Sequence, residues 1–142
     1  MDTASYPTIT IETLVKTSVE KVWTCWTEPK HITQWNQASN DWHAPYSEND
    51  LRTGGKFKTT MAAKDGSVSF DFEGIYTKIQ QLKVIEYTIA DGRKVSITFA
   101  GSAKETKVVE SFEAENANPI EIQRGGWQAI LDSFKKYIEE LG

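Results

Sequence analysis

The chain has one cysteine, two histidines, two methionines and four prolines in 142 residues. The single cysteine, Cys25, excludes an internal disulfide framework. With only His31 and His43 available, no histidine–carboxylate spacing matches a zinc motif. No apolar run approaches the about 20 residues of a membrane span. Positive charge is not in excess: the net charge is −4, the pI is about 5.2, and the two signs are interspersed. A nucleic-acid binder would carry a basic stripe instead. The opening residues, Met1 to Pro7, lack a basic region followed by an apolar one, so no secretion signal is expected. Together these shortages predict a cytoplasmic protein, a single domain over 1–142, a monomer or weak dimer. They predict no nucleic-acid partner, no membrane insertion, no metal and no cofactor.

Aromatic residues are plentiful, with five tryptophans, five tyrosines and six phenylalanines. From Pro119 to Gly142 the chain reads as one helix with an apolar face. Trp127, Ile130, Leu131, Phe134, Ile138 and Leu141 recur at helical spacing, while Gln128, Asp132, Lys135, Lys136, Glu139 and Glu140 fall opposite. Nothing else after about residue 36 reads as a helix. This lone helix needs a large apolar partner, and the strand-rich stretch from Gly55 to Phe112 is the candidate. A curved sheet closed by one helix often leaves an interior pocket, which points towards small-ligand binding.

The rest of the chain fits that plan. Residues 8–15 alternate and are rich in β-branched side chains, as in a strand. Thr17 or Ser18 caps a helix whose buried face is Val19, Val22, Trp23 and Trp26. Pro29 ends it and opens a second short helix, reaching about Trp35. Residues 36–54 read as polar turns, with Trp42 and Tyr46 as isolated aromatics. Strand patterns follow at 56–63, from Val68, at 84–90, at 94–100 and at 106–112. Asp65-Gly66 and Asp91-Gly92 supply hairpin turns. Gly74 inside its run suggests a bulge or bend. Sequential hairpins imply an antiparallel meander with one wet and one dry face.

The catalytic inventory is thin. His31 reads as a surface histidine. His43, between Trp42 and Pro45, is either a turn histidine or a polar group touching a ligand. Cys25 reads as a buried, inert thiol. Gly54-Gly55-Lys56 is a tight turn rather than a phosphate loop, since Phe57 replaces the hydroxyl residue. Arg93 reads as a solvated turn residue. Arg52 is a surface charge or an anchor for a ligand carboxylate. Glu110 points inward if Val108 and Phe112 do, and outward if Val109 faces the core. The cost of an unpaired buried charge favours the solvated reading. If buried, its pKa would rise and it could serve as acid or base.

An ordered set of short matches resembles a known family: Val22-Trp23, Thr27-Glu28-Pro29, Trp35, then Asp50 to Phe57, Asp65-Gly66, Phe72 to Tyr76, and Gly126-Trp127 leading to Leu131 and Phe134. The set resembles the START-related (SRPBCC) superfamily, which includes the birch-pollen allergen. Within it the set is most similar to the domain homologous to the C-terminal part of the activator of the 90-kilodalton heat-shock chaperone ATPase. The chain departs from the pattern at Asn36-Gln37, where a second aromatic and a proline are common, and at Gln81-Leu82, which lacks a usual proline.

The resemblance implies an α+β helix-grip fold. A curved antiparallel sheet of six or seven strands wraps the long C-terminal helix, and two short helices follow the first strand. It leaves three functions open: binding of a lipid-, sterol- or polyphenol-like ligand without catalysis, a co-chaperone module acting on a heat-shock chaperone, or a cyclase or dehydratase using Glu110 or His43. The expected cavity lining is Trp35, Trp42, His43, Phe57, Met61, Phe70, Phe72, Tyr87, Phe99, Trp127, Leu131 and Phe134. Arg52 and Glu110 are candidate polar anchors.

Overall fold

The structure, a computed structural model, describes residues 7–141. The expectations for the first six residues and for Gly142 lie outside that range. The element order is β1 (Thr8–Val15), α1 (Val19–Thr27), α2 (Pro29–Trp35), β2 (Trp42–Asn49), β3 (Lys56–Ala63), β4 (Ser69–Gln80), β5 (Val84–Ile89), β6 (Lys94–Gly101), β7 (Thr106–Glu113) and α3 (Ile120–Glu140). Among the described residues one antiparallel sheet runs in the order β1-β7-β6-β5-β4-β3-β2. Helix α3 packs along β1, and α1 and α2 cross one end. This is the helix-grip arrangement.

Period-2 alternation places each strand's apolar set on the dry face. Ile9, Ile11 and Val15 point inward from β1, Ile85, Tyr87 and Ile89 from β5, and Val95, Ile97 and Phe99 from β6. The two Asp-Gly hairpins form as their sequences require. Gly66 and Gly92 take φ of 80° and 93°, which a side chain would oppose. Ser18 caps α1, its hydroxyl accepting from the Lys21 amide at 3.3 Å. Pro29 occupies the start of α2, where its missing N–H costs nothing.

Three local expectations are corrected. Residues 42–49, read as turns, form strand β2 at the sheet edge. The register shifts between His43 and Tyr46, which places the Ala44-Pro45 step in a bulge. Proline is tolerated there because an edge residue need not donate to a ladder. Gly74 is not the bulge; the register shift in β4 comes between Tyr76 and Lys78. A Cβ on Gly74 would lie 2.9 Å from the Phe57 ring and 2.6 Å from the Thr88 carbonyl oxygen, so glycine lets Phe57 lie across β4. Leu141 is not on the buried face of α3 but 47% exposed.

The polar side of α3 is not simply solvated. Arg124 donates to the Thr10 carbonyl at 3.2 Å, Gln128 to that of Glu12 at 3.4 Å, and Lys135 to that of Leu14. The Lys16 amide donates to Glu139 at 3.0 Å. These side chains occupy the outer carbonyls of edge strand β1, which would otherwise offer a template for another strand. The apolar side buries Leu131, Phe134 and Ile138 against the sheet and α1.

Candidate functional site

A cavity of about 400 Å³ remains between the dry face of the sheet, α1–α2 and the first half of α3. That volume falls within the range of small-molecule sites. Packing of the aromatics explains why space is left. Tyr76, Phe57, Tyr87, Phe72 and Trp127 form a chain of rings in edge-on or tilted contact, with successive centroids 5.2, 4.7, 6.3 and 6.0 Å apart. Rings that meet edge to face build a wall rather than a filled stack. Trp127 ends the chain lying flat on Phe112, centroids 4.0 Å apart. On the opposite side Trp26 and Trp35 meet at 5.0 Å and line the cavity.

Among the polar side chains that line this space, Glu110 and Tyr87 stand out. Glu110 is 6% exposed and Tyr87 is 8% exposed, and both line the cavity. Among the described residues neither side chain has a hydrogen-bond partner. Among the described residues no side-chain nitrogen or oxygen sealed from solvent lacks one, so these oxygens face the cavity itself. The register fixes Glu110 there. It lies opposite Ile11 on β1 and Ile97 on β6, both inward, with Val108 and Phe112 on its own face. The solvated reading of Glu110 is therefore overturned: strand period outweighs the cost of burying the carboxyl. Burial pushes that carboxyl up to about 8, so it is mostly neutral at pH 7, which is how the cost is contained. Burial first, then the neighbouring Glu110 and Tyr76, holds the Tyr87 phenol well above its ordinary range.

Tyr76 differs from Tyr87. Its hydroxyl donates to Asn49 at 2.6 Å, and Asn49 donates to the Thr27 carbonyl at 2.6 Å, so β4, β2 and the end of α1 are joined. Arg93, expected in solvent, has a side chain only 14% exposed and lines the cavity. It is already engaged: Nε lies 2.8 Å from Asp91, and Nη1 donates to the Glu113 carbonyl at 3.1 Å. Glu115 also reaches the cavity. Buried Gln123 holds its loop, accepting from the Glu115 amide at 2.8 Å and donating to the Asn118 carbonyl at 2.8 Å.

Of the residues expected to line a cavity, Trp35, Phe57, Met61, Phe70, Phe72, Tyr87 and Trp127 do, and so does Glu110. Six do not. Phe134 and Leu131 are fully packed core, Phe134 edge-on to both Trp26 and Trp35 at 4.9 Å from each. Phe99 fills the space between Trp23 and Trp26. Trp42 packs on Phe70 from strand β2, and His43 sits beside it, outside the cavity. Arg52 is exposed and pairs with Asp50 at 2.9 Å. The acid–base reading thus keeps Glu110 and loses His43.

Sequence reasoning missed Trp26, Tyr76, Arg93 and Glu115. Trp26 was assigned to the buried face of α1, and helical spacing does not distinguish a core face from a cavity wall. His31 is not free on the surface either, since its Nδ1 lies 2.6 Å from the Tyr137 hydroxyl, linking α2 to α3. Cys25 is buried, and burial raises its thiol pKa. Among the described residues no cluster of three or more His, Cys, Asp or Glu could hold a metal. No helix there is long and apolar enough to cross a membrane.

The family model for activator of Hsp90 ATPase homolog 1-like proteins (AHSA1) matches residues 16–139. Among solved structures, the AHSA1-like protein from Aeromonas hydrophila is 43% identical with a TM-score of 0.90, over 96% of this chain and 94% of that one. Chr148 from Cytophaga hutchinsonii is 56% identical with a TM-score of 0.80, over 93% and 92%. A protein from Nitrosomonas europaea, only 17% identical, shares the fold at a TM-score of 0.82 over 95% and 96%. No curated protein matches. The chain belongs to the AHSA1-like family, and its fold is consistent with the START-related superfamily.

Proposed function

We propose that this AHSA1-like protein holds a small amphipathic molecule in the cavity between sheet and α3, without reacting with it. The observation that carries this reading is the leftover volume: about 400 Å³, walled by aromatic rings, into which an unpartnered carboxyl and an unpartnered phenol open. Apolar faces supply affinity by removing ligand surface from water, and the two polar groups orient the ligand. The cavity lining contains neither histidine nor cysteine, which supports binding over nucleophilic chemistry.

The test is a thermal-shift panel of fatty acids, sterols and flavonoid-like compounds, with native mass spectrometry of freshly purified protein. A binder at about 100 times its Kd should add about 2.7 kcal/mol of stability. A flat panel together with an adduct-free mass spectrum removes the reading.

The family description favours a second reading, a co-chaperone module acting on a heat-shock chaperone. Phe70, 51% exposed and backed by Trp42, is an apolar contact such a partner could use. Stimulation of the chaperone's ATP hydrolysis by this chain, lost on Phe70→Ser, would place this reading first.

A further inference from the structure

The polar groups around the cavity are unevenly distributed in sign. The titratable and charged side chains that line it are Glu110 from β7, Glu115 just after β7, Tyr87 from β5, Tyr76 from β4 and Arg93 from the β5–β6 turn. The lining residues from α1, α2 and α3 carry no charge. Arg93 is neutralised by Asp91 and holds a backbone carbonyl. Tyr76 is spent on Asn49. Glu115 accepts from the Asn118 amide at 2.6 Å and its side chain at 2.9 Å, which leaves Glu110 as the most deeply buried lining group without a partner. Around it stand aromatic rings. Trp127 lies on Phe112, which is two residues along β7 on the same face as Glu110, and Tyr87 is close enough for its phenol to be raised by that carboxyl.

A carboxylate-bearing ligand would meet repulsion once Glu110 is ionised, as it is above about pH 8. A neutral hydroxyl would satisfy Glu110 but gain nothing from the rings' negative faces. A protonated amine uses both, pairing with the carboxylate while the rings attract the cation. Resting on the cavity-binding reading above, we infer that the ligand is an organic amine: an aromatic or alkyl body against the ring wall, its ammonium group on Glu110.

This assignment predicts a proton linkage. The empty cavity holds Glu110 mostly protonated near neutrality, whereas an ammonium ligand selects the ionised form, so binding releases a proton.

The experiment uses one body with three heads: 1-naphthylmethylamine, 1-naphthalenemethanol and 1-naphthaleneacetate. Calorimetric titrations at pH 6, 7 and 8, in two buffers of different ionisation enthalpy, give affinity and protons exchanged. The amine should bind at least about ten-fold tighter than the other two at pH 8. Its affinity should rise about ten-fold from pH 6 to pH 7 and level off above pH 8, with about one proton released at pH 7 or below. Glu110→Gln, which keeps size and shape, should remove the proton release and the pH dependence of amine binding. The wild-type pH profile stands even if that variant unfolds. Equal binding of amine and alcohol, tightest binding of the acid, or amine binding with no proton release would overturn the amine assignment and leave cavity binding intact. If none of the three binds, the amine assignment falls; if an anilinonaphthalene dye and the wider ligand panel also fail to bind, the cavity reading falls with it.

Discussion

Trp127 of α3 lies flat on Phe112 of β7, with ring planes 9° apart and centroids 4.0 Å apart. This contact fixes the start of α3 over the sheet and forms one end of the cavity. Phe112 is fully buried, so the stack gives half-buried Trp127 a rigid floor. Trp127→Ala should lower stability by about 2–4 kcal/mol, somewhat below the loss for a fully buried ring. Trp127→Phe keeps an aromatic face there and should cost under about 1.5 kcal/mol. Urea unfolding measures both. A Trp127→Ala variant as stable as its parent would mean the stack does not hold α3 in place.

Phe134 and Phe70 are both aromatic and were both expected beside a ligand, yet they are at opposite extremes of burial. Phe134 is fully buried against Trp26 and Trp35, whereas Phe70 lines the cavity and is 51% exposed. Phe134→Ala should cost about 3–5 kcal/mol. Phe70→Ala should cost under about 1 kcal/mol while changing the binding of an apolar dye. The reverse ranking in chemical denaturation would show that α3 is rotated relative to this description.

Glu110 sets a pH dependence of stability whose sign is fixed. Its folded pKa of about 8 lies above the ordinary glutamate value of about 4.3. Between those values the folded state holds a proton that the unfolded chain has released. The stabilisation is thus fully present below the lower value and is lost as pH rises through the upper one. Glu110 alone should make unfolding easier by up to about 1.4 kcal/mol per pH unit across that window. Glu110→Gln should flatten this slope and leave the variant more stable than its parent at pH 9. Equal slopes for the two proteins would mean that the carboxyl is solvated.

Gly74 offers a test of how the ring wall is shaped. A methyl group there would lie 2.6 Å from the Thr88 carbonyl oxygen and 2.9 Å from Phe57. The backbone oxygen belongs to the β4–β5 pairing, and Phe57 lines the cavity, so relief of the clash would shift that wall. Gly74→Ala should therefore destabilise by about 1–3 kcal/mol and weaken dye binding. Phe57→Leu in the same background should recover part of both losses. No recovery would place the clash at the strand pairing alone.

The fold was legible because strand alternation and the stripe of α3 each admit one arrangement. Ile85-Tyr87-Ile89 and Val95-Ile97-Phe99 face inward as their spacing requires. β2 was not legible because Pro45 and the bulge after His43 break the period-2 pattern, and an edge strand accepts that break. At the site, pattern could assign residues to the dry face but could not separate core from lining. Phe99 satisfies the same strand period as Phe72 and Tyr87, and Leu131 and Phe134 the same helical stripe as Trp127; packing against Trp26 and Trp35 puts Phe99 and Phe134 in the core. Arg93 was misread because its position in a hairpin turn says nothing of where a long side chain folds back.

The polar side of α3 supports a last prediction, about an edge rather than a core. Arg124, Gln128 and Lys135 reach the Thr10, Glu12 and Leu14 carbonyls, at spacings that keep one helix face parallel to β1. Spacing alone makes Lys135 a free surface lysine whose removal does nothing. The contact with β1 changes that expectation. Lys135→Ala should cost about 0.5–1.5 kcal/mol, since solvent weakens a partly exposed charged hydrogen bond. Alanine is an excellent helix former, so a loss of stability cannot be blamed on α3 itself. Replacing Arg124, Gln128 and Lys135 together by alanine should uncover the edge of β1 and allow strand-to-strand association between copies. Analytical ultracentrifugation should then show a concentration-dependent dimer in the triple variant and not in the parent. A triple variant that stays at the parent's association state, with unchanged urea midpoint, would show that these contacts neither protect the edge nor hold the helix to it.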